Sequence, residues 1–93
     1  MGTLTFTTAT VVTWASYEDQ MDNLEFDDAR TTKLATMVEE GKTDAEAVIV
    51  SPTITKRFFV DTVAAQEYID FLITNAPLYG VTIISTEIQE NAI

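Results

Sequence analysis

The 93-residue chain contains neither cysteine nor histidine. Without cysteine there is no disulfide framework and no thiolate metal site. Without histidine the chain lacks the commonest general base, the commonest zinc ligand and the one side chain that titrates near neutrality when unperturbed. Glycine is scarce as well: Gly2, Gly41 and Gly80 stand far apart, so there is no glycine-rich phosphate loop. Ser16, Ser51 and Ser85 have no histidine to activate them, and Lys33, Lys42 and Lys56 belong to no serine–lysine motif. Nucleophilic catalysis is therefore a poor reading. No stretch approaches the roughly 20 apolar residues that span a bilayer. The opening MGTLTFTTATVVTW lacks the basic and continuously apolar regions of a secretion signal, so a soluble chain without such a signal is expected.

Positive charge is the last thing in short supply. Five Lys and Arg stand against fifteen Asp and Glu, a formal net charge of -10. Such a surface repels phosphate backbones and anionic lipid, so neither a nucleic acid nor a membrane is expected as a partner. An acidic surface can also mimic nucleic acid and occupy a basic protein, although acidity by itself more often serves solubility.

Of the residues present, 46% are hydrophobic, enough for one domain spanning 1–93 near the lower end of sizes that fold on a single core. In TLTFTTATVVTWA, residues 3–15, Leu4, Phe6, Val12 and Trp14 share one parity and threonines the other, which predicts a strand with one buried face. Ser16 stands as an N-cap for a short helix over 17–24, with Tyr17, Met21 and Leu24 on its apolar face. Asp27 or Asp28 caps a second helical stretch that carries Leu34, Met37 and Val38 and stops at Gly41. AVIVSPTITKRFFV reads as extended, with Val48, Val50, Ile54, Phe58 and Val60 on one parity. Pro52 makes it either one bent strand or a hairpin. Asp61 caps a helix over TVAAQEYIDFLITNA, where Ala65, Tyr68, Phe71 and Leu72 form the buried face, and Phe58 and Val60 should meet Tyr68 and Phe71. Pro77 and Gly80 close that helix, and Val81 to Ile88 form the last strand. The order predicts an α+β fold: a small, mainly antiparallel sheet of three to four strands with two helices on one face, a ferredoxin-like sandwich. Sixteen threonines suit a solvent- or partner-facing sheet surface.

The clusters that invite a chemical reading also have plainer ones. Glu18, Asp19, Asp22, Glu25, Asp27 and Asp28 form the densest carboxylate run, but without EF-hand spacing. A solvated face with helix caps explains it. Lys56 and Arg57 are strand neighbours and point to opposite faces, so they cannot clamp one phosphate. Asp61 is a cap before it is a general base. Trp14, Tyr17 and Tyr68 read as core or interface residues. No catalytic, cofactor-binding or metal-ligating residue is assigned, and no cofactor is implied.

Three segments carry a resemblance: TFTTATVVTWASYEDQMDNLEFDDAR, EEGKTD and RFFVDTVAAQEYIDFL. With its threonine-rich first strand, its GKTD turn and its strand-to-helix step, the chain resembles small uncharacterised proteins of tailed, T4-like bacteriophages of marine bacteria. That resemblance implies a phage origin and a virion-associated or host-directed accessory role, in the host cytoplasm or the virion. No functional residue travels with it. The preferred expectation is a non-enzymatic structural or protein-binding module that associates with itself or with another phage or host protein. An acidic inhibitor of a host protein is the alternative. A small-molecule-binding dimer with a cleft lined by Trp14, Tyr68 and Phe71 is a second.

Overall fold

Alternation at the start of the sequence becomes strand β1, Thr10–Ser16. The computed structural model describes residues 10–20, 23–43, 48–51 and 53–89, so the predicted stretch 3–9 lies outside the described residues. β1 is flanked on both sides. It pairs antiparallel with β3, Ile54–Phe59, and with β4, Ile83–Gln89. The extended segment before α2 resolves as a hairpin: β2, Val48–Ser51, pairs antiparallel with β3, while Pro52 itself is outside the described residues. The sheet order is β2-β3-β1-β4.

The register decides which face is buried. Opposed residues on antiparallel neighbours share a face, and Trp14 stands opposite Thr55 on one side and Thr86 on the other. Phe59, opposite Thr10, therefore lies on the same face as Trp14. Trp14, Thr55 and Phe59 are all buried, whereas Phe58 is half-buried and Val60 exposed. The expectation that Phe58 and Val60 meet the helices is thus wrong by one residue. Phe58 and Phe59 offer an apolar side chain to either face, so β3 alone does not determine its own orientation. β1 does. Thr55 and Thr86 sit on the helix-facing side too, which corrects the expectation of a solvent-facing threonine surface for these two positions.

Helix α1 spans Leu24–Glu39 and is capped by Asn23, whose side-chain oxygen accepts from the Phe26 N–H at 2.8 Å. Neither predicted aspartate cap is used: Asp27 falls in the first turn, where negative charge suits the helix dipole, and Asp28 follows it inside the helix. Asparagine caps as well as aspartate does and has a donor to spare. Asn23 uses that donor on the Tyr79 carbonyl at 2.9 Å. Of the helix predicted over 17–24, Glu18–Gln20 form a 3-10 turn, Leu24 opens α1 and Met21 lies outside the described residues; Tyr17 and Leu24 are exposed. Ser16 is no cap; it stays in β1, buried, with its hydroxyl donating to the Thr82 carbonyl. Phe26, Leu34 and Met37 make the buried stripe of α1, and Val38 is exposed.

Helix α2, Thr62–Asn75, begins where predicted. Asp61 is extended and its carboxylate accepts from the Ala64 N–H at 2.8 Å. Ala64, Ala65, Tyr68, Ile69 and Leu72 are buried, and Phe71 packs half-buried beside them. A 3-10 turn, Ala76–Tyr79, extends the helix. α1 and this turn end alike, on a glycine at φ 75°. At the first, Gly41 N–H donates to Val38 and Lys42 N–H to Met37; at the second, Gly80 N–H donates to Pro77 and Val81 N–H to Ala76. Both are the paired closing bonds of a Schellman stop, which needs a left-handed residue.

Phe26 of α1 meets Trp14 edge-on with ring centres 6.2 Å apart, and Tyr68 of α2 meets Phe59 at 5.4 Å. Since Trp14 and Phe59 share a face, both helices cover the same side of the sheet. The structure is α+β with one core between the two layers.

These assignments fix the outcome of five substitutions. Asp61→Ala should cost about 1 kcal/mol while Asp61→Asn stays near neutral, because asparagine keeps the capping oxygen. Asn23→Asp should not be neutral, since it keeps the cap but loses the bond to Tyr79. Phe59→Ala should cost roughly 3–5 kcal/mol and Phe58→Ala clearly less. Urea midpoints of the five variants check this; a larger loss at Phe58 than at Phe59 would reverse the sheet's orientation.

Candidate interaction surface

The polar residues that a chemical reading would choose are largely engaged in holding the fold. Lys56 and Arg57 do point to opposite faces. Lys56 and Glu87 both stand opposite Thr13, one on each neighbouring strand, and so share the helix-free face. Arg57 lies on the helix side, in a shallow hollow of about 260 Å³ with Thr31, Leu34, Ala35 and Val38 of α1. Arg30 takes a position in the apolar stripe of α1. Its guanidinium lies 5.1 Å from the Trp14 ring centre and 5.4 Å from that of Phe26, and it meets the Asp27 carboxylate at 2.7 Å. Stacking on aromatic faces is what allows an arginine there. Burial pushes the Tyr68 hydroxyl above its ordinary ionisation range, and the nearby Arg30 and Arg57 charges act against that shift.

Trp14 and Tyr68 do not line a cleft. Both are almost fully buried, and Tyr68 is sandwiched between Phe59 at 5.4 Å and Phe71 at 6.4 Å. The acidic run does not converge either. Asp27 pairs with Arg30, Asp19, Glu25 and Asp28 are exposed, and among the described residues no group of three or more metal-binding side chains comes together. Asp22 lies outside the described residues.

One charged network joins the two helices. Glu67 of α2 accepts from Lys33 of α1 at 2.7 Å and from Lys42 at 2.8 Å, and Lys42 also reaches Glu40 at 3.0 Å. The Lys42 carbonyl accepts from the Val60 N–H at 2.8 Å, and Thr43 bridges to Phe59. The chain leaving α1 is thereby pinned beside the start of α2. The hydrogen bonds from Lys33 and Lys42 hold the Glu67 carboxyl below the usual carboxylate range, with burial opposing. Those to Glu67 and Glu40 raise Lys42.

Exposed apolar side chains stand beside these polar ones. Val63 is 76% exposed, Ile73 54%, Leu78 74% and Ile84 52%. Val63 and Ile73 share grooves with β4 residues, and Ile84 belongs to β4 itself. One groove of about 760 Å³ is lined by Ile73, Pro77 and residues Gly80 to Thr86, and another of about 660 Å³ by Val63, Gln66, Asp70 and Ile88 among others. The two lie at opposite ends of α2 and of β4. Among the described residues β4 pairs only with β1, which places it at one edge of the described sheet. The sequence carried a signal for this surface that went unread: Val63 and Ile73 fall on the polar face of α2 with Gln66 and Asp70, where periodicity alone asks for polar residues.

No family model, no curated protein and no solved structure matches the chain.

The Glu67 network generates a pH prediction. In the unfolded chain Glu67 ionises in the usual carboxylate range; in the folded chain it ionises below it. Its contribution is therefore complete above the usual range and is lost as pH falls through the lowered folded value. Glu67→Gln should be modestly less stable than the parent at pH 7, by about 1 kcal/mol or less for so exposed a pair. That gap should close in acid. Urea midpoints at the two pH values check it, and a gap of equal size at both would reject the network as the cause.

Proposed function

We propose that this protein is a non-enzymatic structural module, built as a ferredoxin-like α+β sandwich, that assembles through the α2–β4 flank with copies of itself or with a larger protein. The sandwich is supported by the order β2-β3-β1-β4, antiparallel throughout, with one helix after β1 and one after β3. The observation that carries the function is the set of exposed Val63, Ile73, Leu78 and Ile84 beside an edge strand with no lysine or proline to block it. The sequence supports the non-enzymatic part, since it has no histidine or cysteine. Ser16 also spends its hydroxyl on Thr82. The phage resemblance makes a virion component or a host-directed accessory protein the natural setting.

A second reading, an acidic inhibitor of a host protein, is favoured by exposed Glu25, Asp28, Glu39 and Glu40 along α1. Salt separates the two. Association through an acidic face weakens as salt screens it, whereas an apolar assembly of a chain carrying -10 tightens. Light scattering across concentration and ionic strength should give a mass above the 10.3 kDa of one chain, rising with both. A mass fixed at one chain, with no protein retained by the immobilised chain, would overturn the proposal.

A further inference from the structure

The α2–β4 flank joins aliphatic grooves to a helix that carries acid and no cation, and from that combination we infer that its occupant is an amphipathic helix of another protein, with aliphatic side chains on one face and Lys or Arg beside them. The inference rests on the assembly reading above and chooses between the two occupants which that reading allows.

Charge makes the choice. The five Lys and Arg of the chain all fall between Arg30 and Arg57. From Phe58 to Ile93 there is none, against Asp61, Glu67, Asp70, Glu87 and Glu90. Asp61 is engaged as a cap, and Glu67 is held by Lys33 and Lys42. Asp70 is different. It is exposed in the wall of the smaller groove, beside Val63 and Ile88, and meets only a neutral donor, the Gln66 amide at 2.9 Å. Among the described residues no Lys or Arg pairs with it. The same flank of a second copy brings no cation either, so two flanks meet acid to acid and approach only as salt screens them. The other cations of a second copy are poorly placed to help, because Arg30, Lys33 and Lys42 already pair within their own chain. A partner that carries Lys or Arg among its aliphatic side chains answers Asp70 directly.

Spacing sets the shape of that partner. Val63 and Ile73 share one side of α2 with Gln66 and Asp70 and stand ten positions apart, about 15 Å along the axis. The grooves they rim follow one another beside that axis, with Ile88 in one and Ile84 in the other. The larger groove lies at the Ile83 end of β4. Thr10 and Gln89, next to the undescribed ends of the chain, stand at the other end of the sheet. A helix presents the same face again after eleven residues, roughly 16–17 Å, so aliphatic anchors at i and i+11 reach Val63 and Ile73 when it lies along α2. A Lys or Arg at the edge of that face, between the two anchors, rests its aliphatic stem on the groove and its charge at Asp70.

A synthetic helix of leucine and lysine tests this, with leucine at i, i+4, i+7 and i+11 and lysine elsewhere, against a scrambled peptide of the same composition. Titrated into isotope-labelled protein at physiological ionic strength, the patterned peptide should bind more tightly and shift the amide resonances of Val63, Asp70, Ile73 and Ile84. Asp70→Asn should weaken it about threefold and Ile73→Asp about tenfold, whereas Asp28→Asn, the same charge change on α1, should leave it unaltered. Ile73→Asp adds a negative charge, so an association driven by charge alone would tighten instead. All three positions are exposed, and an unchanged far-UV circular dichroism spectrum confirms the fold. Equal binding of both peptides, or indifference to Asp70→Asn and Ile73→Asp, overturns the inferred partner. Self-association that Ile73→Asp abolishes and the patterned peptide fails to displace also overturns it, and leaves the assembly reading standing with a second copy as occupant. A protein that binds neither peptide, stays at the mass of one chain and retains no other protein overturns both.

Discussion

Trp14 is the side chain on which the two layers close. It sits at the middle of β1, the strand that has neighbours on both sides, and is only 2% exposed. An aromatic of this size removes about 150–250 Å² from water, worth roughly 4–6 kcal/mol. That is a large share of the total stability of any small domain. Once it is buried, the register makes Thr55, Phe59, Thr86 and Ile88 face the same way, and the amphipathic helices have only one side of the sheet to cover. Phe26 then meets the indole edge-on and Arg30 lies over its face. The opposite face is left with Lys56, half-buried Phe58 and Glu87.

Around this core the element ends are tied by single, directional polar contacts. Gln20 accepts from the Thr82 N–H at 2.7 Å and from the Ser16 hydroxyl, which itself reaches the Thr82 carbonyl, at the point where the β1–β4 register shifts. Asn23 joins the start of α1 to the turn after α2, and the Lys42 carbonyl joins its end to the start of α2. A sheet irregularity leaves backbone groups without ladder partners, and nearby side chains satisfy them. The consequence is functional. Side chains that look chemically available in the sequence, Ser16, Asp61 and Glu67 among them, are engaged as ties.

How much of this was legible depends on whether the signal was local. The Asp61 cap and both glycine stops were readable because a cap or a left-handed turn is a property of a few consecutive residues. The buried face of β3 was not, since Phe58 and Phe59 satisfy either parity and the choice is made by pairing with a strand some forty residues earlier. The start of α1 was misplaced because Asp27 and Asp28 were better-looking caps than Asn23 until Tyr79, far along the chain, supplied the second partner. Arg30 hid the apolar stripe from Phe26 to Met37 by occupying one of its positions. The hairpin, left open by Pro52, needed the β2–β3 register to resolve it.

The same distinction explains why the interaction surface escaped a reading by pattern. Its residues come from α2, the turn after it and β4, and each element looks ordinary in isolation. They become a surface because α2 runs alongside β4, which sets Val63 near one end of that strand and Ile73 near the other. The two edges of the sheet differ in kind. β2 is four residues long and follows the polar KTDAE, whereas β4 is seven residues long and carries a single charge, Glu87. Short edges resist added strands and long uncharged ones invite them. The exposed carboxylates Glu25, Asp28 and Glu39 lie on α1, which packs over the β3 side, away from β4. Much of the exposed negative charge therefore lies on the α1 side of the molecule, while Asp70 and Glu87 carry some of it to the α2–β4 flank.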